Sequence, residues 1–463
     1  MFTGRFTVKK VMVSYILSLV LLLGGLQIGV RAQSETEETN TFSILTYNIA
    51  GLPGFLSSAD PAKNTKRIGE LMNQFDLVAV QEDFAYHDEL LEKASFPYVT
   101  EHPGNVPFGS GLNVLSKFPI KDDHNVPWRM THGNLTCPPF GYHGADELTP
   151  KGFSYQRMEL QPGAIVDVYN LHADAGSDEG SREARHDNFI QLAAYINKYS
   201  RGNAIILLGD TNAFYTRECD QLYANLTEAC GLTDPWIEYI REGDIPAFRP
   251  YDDTLEDLNE DLSGPNYETV DKILYRSSEV ISFEYVNYKI QNELFLDEEG
   301  ERLSDHFATS LTLDYTLSDT IQLSESFGGS GGEPFNFLPD MQDNKMTKVA
   351  IRSDDRLDAI SISYADGETF SAGGQGGDYY EMNLDDNEYV TQITLHKGKK
   401  WYWSQPRVYY LKIVTSLGRV LEGGTMTDEQ LAIQAPSGWQ IAGFYGRSNT
   451  EIDQLGVIMI PIQ

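Results

Sequence analysis

The sequence predicts an α/β domain followed by an all-β domain, on three observations. Over residues 42–316, short apolar runs alternate with stretches of helical apolar spacing. Six of those runs end in a carboxylate, amide or imidazole: Asn48 in LTYNIAG, Glu82 in LVAVQEDF, His172 in VYNLHAD, Asp210 and Asn212 in IILLGDTN, Asp271 in TVDKILY, and Asp305 with His306 in RLSDH. Beyond Asp319 helical spacing nearly vanishes, and glycine-punctuated β segments run to the C-terminus. A buried strand followed by a polar residue presents that residue at the rim of its sheet. Six rims carrying only Asp, Asn, Glu and His read as a site for a divalent cation and a phosphate.

Taken in order, residues 1–32 have a basic start (Arg5, Lys9, Lys10), an apolar stretch from Val11 to Val30, and small residues before Ala32. This is the pattern of a secretory signal cleaved near Ala32, although the stretch also has the length of an uncleaved anchor. Residues 33–41 form an acidic, solvated leader. Residues 43–48 are strand-like. Residues 64–75 place Ile68, Leu71, Met72 and Phe75 on one helical stripe, and 77–80 is a short buried strand. Ser181 is the expected N-cap of a helix to Tyr199, with Phe189, Leu192, Ala193 and Ile196 on one face, and 204–208 is a buried strand. Residues 317–321 are the linker, in a Ser/Gly-rich stretch reaching Ser330, and 322–463 form the β domain. Its alternating segments include 357–364, 389–396, 408–415 and 456–462, about a dozen short strands in all. SESFGGSGG at 324–332 is echoed by FSAGGQGG at 370–377, a hint of internal pseudo-symmetry.

The 463 residues suffice for two or three domains. With 68 acidic and 35 basic side chains the formal net charge is -33. Such a field repels phosphate polymers, and the most basic run is only KGKK at 397–400, which argues against nucleic acid as a partner. Cys137, Cys219 and Cys230 are the three cysteines. In an oxidising compartment Cys219 and Cys230 can close a small loop, with other pairings open, and without a C-x-x-C no zinc site is expected. Asn134 and Asn225 head N-glycan sequons, in keeping with secretion.

Phosphodiester hydrolysis needs the phosphoryl charge neutralised and a water delivered in line with the leaving oxygen. A hard divalent cation on carboxylates, with waters retained, does the first task and fits magnesium. Glu82 and Asn48 are suitable oxygen ligands. His306 held by Asp271 suits proton abstraction from water, and His172 and Asn212 suit stabilisation of the equatorial oxygens. Each residue also has a structural reading: Asn48 and Asn212 as turn formers, Asp210 as a cap, His172 as a satisfied core histidine. Taken together, that account must explain six coincidences. His87, His102, His124, His132, His143 and His186 fall outside the pattern and take the structural reading, while Arg182 and Arg185 are candidates for either phosphate contact or salt bridges.

These motifs, Tyr47-Asn48, Gln81-Glu82, His172, Gly209-Asp210-Thr211-Asn212, Asp271 and Ser304-Asp305-His306, resemble in order those of the endonuclease/exonuclease/phosphatase superfamily. The resemblance implies a four-layer α/β sandwich over 42–316 that catalyses metal-dependent phosphoester hydrolysis. It implies that Glu82 ligates the metal with Asn48 and Asp305 near it. Asp210 and Asn212 would orient nucleophile and phosphate, His306 oriented by Asp271 would be the general base, and His172 would steady the pentacoordinate phosphorus. QEDF at 81–84, ELTPKGFSYQRME at 147–159 and NLHADAG are similar to the sphingomyelinase-like branch. Inositol-phosphate 5-phosphatases usually carry Trp-x-Asp-Arg where this chain has Glu268-Thr-Val-Asp-Lys.

GGSGG at 328–332, GGQGG at 373–377 and GWQIAGFYGRSNTEIDQLGV at 438–457 resemble the jacalin-related lectins, implying a β-prism of three four-stranded sheets. In that family a sugar lies against a glycine-rich loop and a Gly-Asp-x-x-Asp turn. Gly332, Asn449, Thr450 and Asp453 take the matching positions here, with the glycine and first aspartate replaced. Asn449 is expected to supply the left-handed backbone and Thr450 a hydroxyl. Trp401, Tyr402 and Trp403 after KGKK, and CPPFGYHG at 137–144, are expected to pack on their domains, with sugar or membrane-interface contact as the alternative. The whole reads as a secreted, magnesium-dependent phosphodiesterase of sphingomyelinase type, cutting a phospholipid and held at glycosylated cell surfaces by its lectin domain. The competing readings are a secreted deoxyribonuclease-like enzyme, and a carbohydrate-binding protein with an inactive phosphoesterase domain.

Overall fold

Two strand pairs run parallel in the first domain, and both pairs end at functional residues. In the computed structural model the described residues are 40–462, apart from 53–60, 103, 105–108, 133–149, 251–254, 256–261, 263 and 342–344. The signal, the leader, Asn134, Cys137, His143 and the 137–144 loop lie outside them. β1 (Asn40–Asn48), β2 (Leu77–Gln81), β3 (Tyr98–Val99) and β4 (Asn113–Ser116) precede β5 (Ile120–Pro127), β6 (Gly152–Glu159), β7 (Ile165–His172) and β8 (Ala204–Asp210). β9 (Asp271–Arg276), β10 (Ile281–Ile290) and β11 (Thr309–Leu317) complete the domain. One sheet has the order β10-β11-β1-β2-β4-β3 and the other β5-β6-β7-β8-β9.

Alternation along the strands decides which faces meet. Ile44, Leu77, Ala79 and Val114 of the first sheet share a core with Val166, Val168, Ile206 and Leu208 of the second. Leu45, Tyr47, Val78, Val80 and Leu115 point the other way, onto Ile68, Leu71, Met72 and Phe75. On the far side of the second sheet, Tyr195 of the helix Glu179–Tyr199 packs on Phe153, Tyr155 and Tyr169. Helix, sheet, sheet and helix make a four-layer α/β sandwich. Each fully buried Ile, Leu or Val in it stabilises the fold by about 1.5–3 kcal/mol.

Both helices start earlier than their apolar spacing predicts. The first runs Pro61–Leu71 and tightens into a 3-10 turn, Met72–Gln74. The second is capped by Asp178 rather than Ser181. The Asp178 carboxylate accepts from the Gly180 and Ser181 amides at 3.0 and 3.2 Å, and Ser181 Oγ donates to it at 2.7 Å. A carboxylate satisfies the free amides and also meets the positive end of the helix dipole. Arg185, fully buried, is spent on Asp220 at 2.7 Å and on the carbonyls of Asp174 and Gly176, so its role is structural. Arg182 Nε likewise donates to the Asp178 carbonyl at 3.3 Å.

The Cys219–Cys230 bridge that the sequence allows, among other pairings, is not formed, and both are free thiols. Cys230 packs in the core, where burial pushes its thiol up to about 11. Asn225 also departs from expectation. It lies in a π-helical turn, Tyr223–Glu228, with Nδ2 buried, so a glycan has no access to that atom.

The second domain comprises β12 (Gln322–Leu323), β13 (Phe327–Gly328), β14 (Glu333–Asn336), β15 (Met346–Ser353), β16 (Leu357–Tyr364), β17 (Thr369–Gly373) and β18 (Asp378–Asn383). It continues through β19 (Val390–Lys399), β20 (Pro406–Thr415), β21 (Val420–Gly424), β22 (Glu429–Gln434), β23 (Trp439–Ser448) and β24 (Ile452–Pro461). β15–β18 form a four-stranded sheet, and the other nine strands form one hydrogen-bonded sheet rather than two. The β12-β13-β14-β23-β24 group joins the β19–β22 group only through Val390 opposite Ile441. That single bridge merges two faces of the prism.

Arg447 ties the domains together. Its guanidinium pairs with Asp122 on β5 at 2.7 Å and donates to the carbonyls of Gly331 and Gly332 at 3.1 and 2.9 Å. Both ends of the ion pair are buried. Removing one partner leaves an uncompensated charge, so Arg447→Met is expected to lower the unfolding free energy by about 3–5 kcal/mol. Denaturant titration checks this, and an unchanged midpoint contradicts it.

Candidate active site and glycan cradle

Three of the five non-glycine residues with left-handed backbone, among those described, follow strand ends at one rim: Ala50 (φ 48°) after β1, Glu82 (φ 58°) after β2 and Asn212 (φ 48°) after β8. Such backbone costs about 1–3 kcal/mol per residue and collects at functional sites. The turns are held by named contacts. Ala50 N donates to Asn48 Oδ1 at 3.1 Å, Asn212 N to Asp210 Oδ1 at 2.9 Å, and Gly51 N to Glu82 O at 3.1 Å. A Cβ on Gly51 would lie 2.4 Å from that carbonyl oxygen, so only glycine lets the two strand exits approach.

Strand register then brings the side chains together. Asn48 lies opposite Gln81, His172 opposite Asp210, and Asp210 opposite Asp271. Asn48 Nδ2 reaches Glu82 Oε1 at 3.2 Å, Asp210 Oδ2 at 3.1 Å and His306 Nε2 at 3.4 Å. His306 Nδ1 sits 2.9 and 3.1 Å from the two Asp271 oxygens, and its Nε2 is 3.7 Å from Asp210 Oδ2. His172 Nε2 is 3.3 Å from the same Asp210 oxygen. Asn212 Nδ2 donates to the Ala173 carbonyl at 3.1 Å. Seven of the eight residues read from the motifs therefore form one cluster. Asp305 stands apart: its side chain is exposed, and it accepts from Ser304 Oγ at 3.3 Å. Asn48 contributes amide donors toward the cluster, while its oxygen is occupied by Ala50.

Burial and charge set the protonation states. Burial raises the Glu82 carboxyl, offset only in part by Lys151 and the Asn48 hydrogen bond. Burial also raises Asp271. Asp210 is equally buried, yet the imidazoles of His306 and His172, with Lys151, bring it below its ordinary value. His306 is raised well above its ordinary value because Asp271 and Asp210 outweigh the cost of burying its charge. Lys151 is the functional residue that motif-by-motif reading leaves out. It is buried at the mouth of β6, its Nζ 3.4 Å from the Ala173 carbonyl, and its charge acts on both Glu82 and Asp210. The signal was the Lys-Gly-Phe run already matched to the sphingomyelinase-like branch.

This donor set fits a divalent cation. Ligand atoms of Asp210, Asp271 and His306 lie within 4.8 Å of one another, and Glu82 adds a partly buried carboxylate across the Asn48 bridge. Oxygen-rich carboxylate sites favour hard cations.

In the second domain, Gly332 (φ 66°) and Asp453 form the cradle expected of them. Cβ atoms on Gly331 and Gly332 would lie 2.7 and 2.6 Å from the Asp453 carboxylate oxygens. Thr450 is exposed beside it. Asn449 is not among the left-handed residues. Its amide instead donates to the Glu451 carbonyl at 3.1 Å, so the turn closes without the expected glycine-like backbone. Glu451 bridges Arg356, at 2.8 Å, and Arg407. The echoed glycine loop repeats the geometry: Cβ atoms on Gly376 and Gly377 would lie 3.0 and 2.5 Å from Asp358 oxygens. Asp358 is the partner that the repeat alone did not reveal.

Residues 45–306 match the Endonuclease/Exonuclease/phosphatase family. The chain belongs to that family. Residues 324–458 match the Jacalin-like lectin domain. A sphingomyelinase of Mycobacterium tuberculosis is 38% identical over 275 residues, covering 57% of this chain and 51% of that protein. The chain thus spans about half the length of the mycobacterial relatives it matches. Horcolin of Hordeum vulgare is 32% identical over 141 residues, covering 29% of this chain and 94% of that lectin. The sphingomyelinase C structure from Streptomyces griseocarneus covers 59% of this chain and 99% of its own, at 20% identity and a TM-score of 0.40. This family member is accordingly a hydrolase-type fold joined to a jacalin-type lectin domain.

The Glu451 carboxyl is buried, which raises its pKa, but Arg356 and Arg407 outweigh this and hold it at about 2 against an ordinary 4.5. Its folded value lies below its unfolded one. The stability it contributes is therefore complete above about pH 4.5 and is lost as pH falls toward about 2. In that window the wild type should lose stability more steeply than Glu451→Gln in denaturant titrations. Parallel pH profiles for the two would contradict the assignment.

Proposed function

We propose that the protein is a secreted, divalent-metal-dependent phosphodiesterase, with magnesium as its cation. It cleaves a sphingomyelin-like phospholipid at the ceramide–phosphate bond, and its lectin domain holds it on glycosylated surfaces. The observation that carries the reading is the His306–Asp271 pair aimed, across Asn48, at Glu82 and Asp210. The resemblance to mycobacterial sphingomyelinase supports the substrate class, and residues 1–32 support secretion.

Glu82 would hold the cation, which when bound would supply positive charge to the phosphoryl oxygens and lower the proton affinity of nearby His306. His306, its Nδ1 committed to Asp271, takes the proton of the attacking water at Nε2. Asp271 stabilises the imidazolium that results. The new oxygen–phosphorus bond forms as the bond to the ceramide oxygen breaks; that oxygen takes a proton from solvent water, and His306 returns the proton it abstracted to solvent, so one water is consumed in all. Lys151, His172 and Asn212 are the donors placed to stabilise the equatorial oxygens. Tethering by the lectin domain raises local concentration at the surface without changing the chemical step.

The aromatic run on the β19–β20 hairpin does not pack as expected. Trp401, Tyr402 and Trp403 are 59%, 93% and 83% exposed, beside the exposed Lys399 and Lys400. Exposed Trp and Tyr flanked by lysine suit a membrane interface, where ring and charge meet different layers. The reading therefore includes peripheral membrane contact at this tip.

The test is a hydrolysis panel of sphingomyelin vesicles, inositol phosphorylceramide, DNA and a phosphomonoester, with magnesium or a chelator. Sphingomyelin cleavage abolished by chelation is expected, with His306→Ala lowering kcat/KM by about two to four orders of magnitude. Cleavage of DNA without sphingomyelin would overturn the substrate class. For the hairpin, Tyr402→Ser with Trp403→Ser should weaken partitioning onto sphingomyelin vesicles by about tenfold. The same variant should keep full turnover of a soluble substrate. Unchanged vesicle binding contradicts the membrane role.

A further inference from the structure

Immediately beyond Glu82 the chain builds a second polar cluster that the proposed reaction does not use. Asp83 is fully buried, and His87 and His102 are partly buried. Each offers one potential ligand atom, and these atoms lie within 4.8 Å of one another. The two imidazole rings stack with centroids 4.2 Å apart and planes 25° from parallel. Asp83 Oδ2 is 2.6 Å from His87 Nδ1 and accepts from Asn113 Nδ2 at 3.1 Å. Asn113 Nδ2 also lies 3.3 Å from His87 Nδ1. Asp83 Oδ1 is buried with no hydrogen-bond partner among the described residues. A buried carboxylate oxygen without a partner is costly, and each such atom requires an explanation.

His102 adds the second indication. Its Nε2 lies 3.0 Å from the Asp83 backbone carbonyl. That contact requires the proton on Nε2 and leaves the lone pair on Nδ1. A metal-ligating histidine is oriented in the same manner, by donating its other nitrogen to a carbonyl or carboxylate.

We propose that Asp83, His87 and His102 form a second cation site, built for a zinc-class transition ion rather than for magnesium. Two imidazoles and one carboxylate are the donors such ions prefer, and three protein ligands leave a position for water. The bound ion joins three separate pieces of chain: the β2 exit, the helix His87–Lys93 and the segment after β3. Its place is structural, fixing the strand exit from which Glu82 projects.

The test is equilibrium dialysis with zinc, and cobalt(II) electronic spectra, on the full chain carrying Glu82→Gln so that the neighbouring carboxylate is silenced. One equivalent of zinc should bind in the presence of excess magnesium, and cobalt should show the intense visible bands of a low-coordinate, nitrogen-ligated ion. Adding His87→Ala and His102→Ala should abolish the bands and weaken zinc binding by about a hundredfold or more. Absence of uptake, displacement by magnesium, or uptake unchanged by the two histidine substitutions overturns the proposal. The unsubstituted protein gives an independent reading if those variants misfold. Zinc should then protect His87 and His102, but not His186, from diethyl pyrocarbonate, and equal labelling of all three with and without zinc refutes the site.

Discussion

Everything at the rim depends on parallel pairing of β1 with β2 and of β7 with β8. Parallel strands end on the same edge, so Asn48 and Glu82 leave one sheet where His172 and Asp210 leave the other. The antiparallel partner β9 then begins where β8 ends, which sets Asp271 beside Asp210. A shift of one residue in either pairing would turn the same side chains into the core or out to solvent. The apolar alternation that packs the sheets is thus also what aims the polar residues. Burial energy fixes the register, and the register fixes the chemistry.

The cost of the arrangement is visible locally. Left-handed backbone at Ala50, Glu82 and Asn212, with four buried ionisable groups within a few ångströms, would be unfavourable without the surrounding sandwich. The charges partly offset one another. Asp210 stays ionised because two imidazoles and Lys151 face it, and His306 holds its proton because two carboxylates do. The cation proposed at Glu82 would relieve the remaining excess of carboxylates. The same logic recurs on a smaller scale at Asp83, whose free oxygen marks an unfinished coordination shell.

Much of this was legible in the residues, because strands and rims have a simple signature. An apolar run of four to eight residues ending in a polar one predicts both the strand and the placement of its last side chain. Asn48, Glu82, His172, Asp210 and Asn212 carried that signature, whereas Asp271 opens β9 and His306 lies in the turn before β11, where the strand-end rule does not apply. What escaped notice depended on tertiary partners. Lys151 begins a strand rather than ending one. Asp305 follows a rim but turns outward. His87 and His102 are fifteen residues apart with no periodic relation, and only the fold stacks them. The start of the helix Glu179–Tyr199 was misplaced because Asp178 caps it before the apolar stripe begins. In the β domain the glycine repeat pointed to pseudo-symmetry and the lectin resemblance set Asp453 at the first loop, but Asp358 at the second carried no signal of its own and is placed there only by the fold.

The lectin domain is not an independent appendage in this arrangement, since Arg447 holds its glycine loop and the β5 strand of the sandwich at once. The candidate active-site rim and the Gly332–Asp453 loop belong to one compact unit, Thr39–Gln463. The central claim of the proposed function is a cation held at Glu82 within reach of Asp210 and His306. Anomalous scattering from crystals soaked in manganese, as a magnesium surrogate, tests this most directly. The account predicts a strong peak bonded to the Glu82 carboxylate, on the side facing His306. Peaks confined to the molecular surface, with none at Glu82, would contradict it.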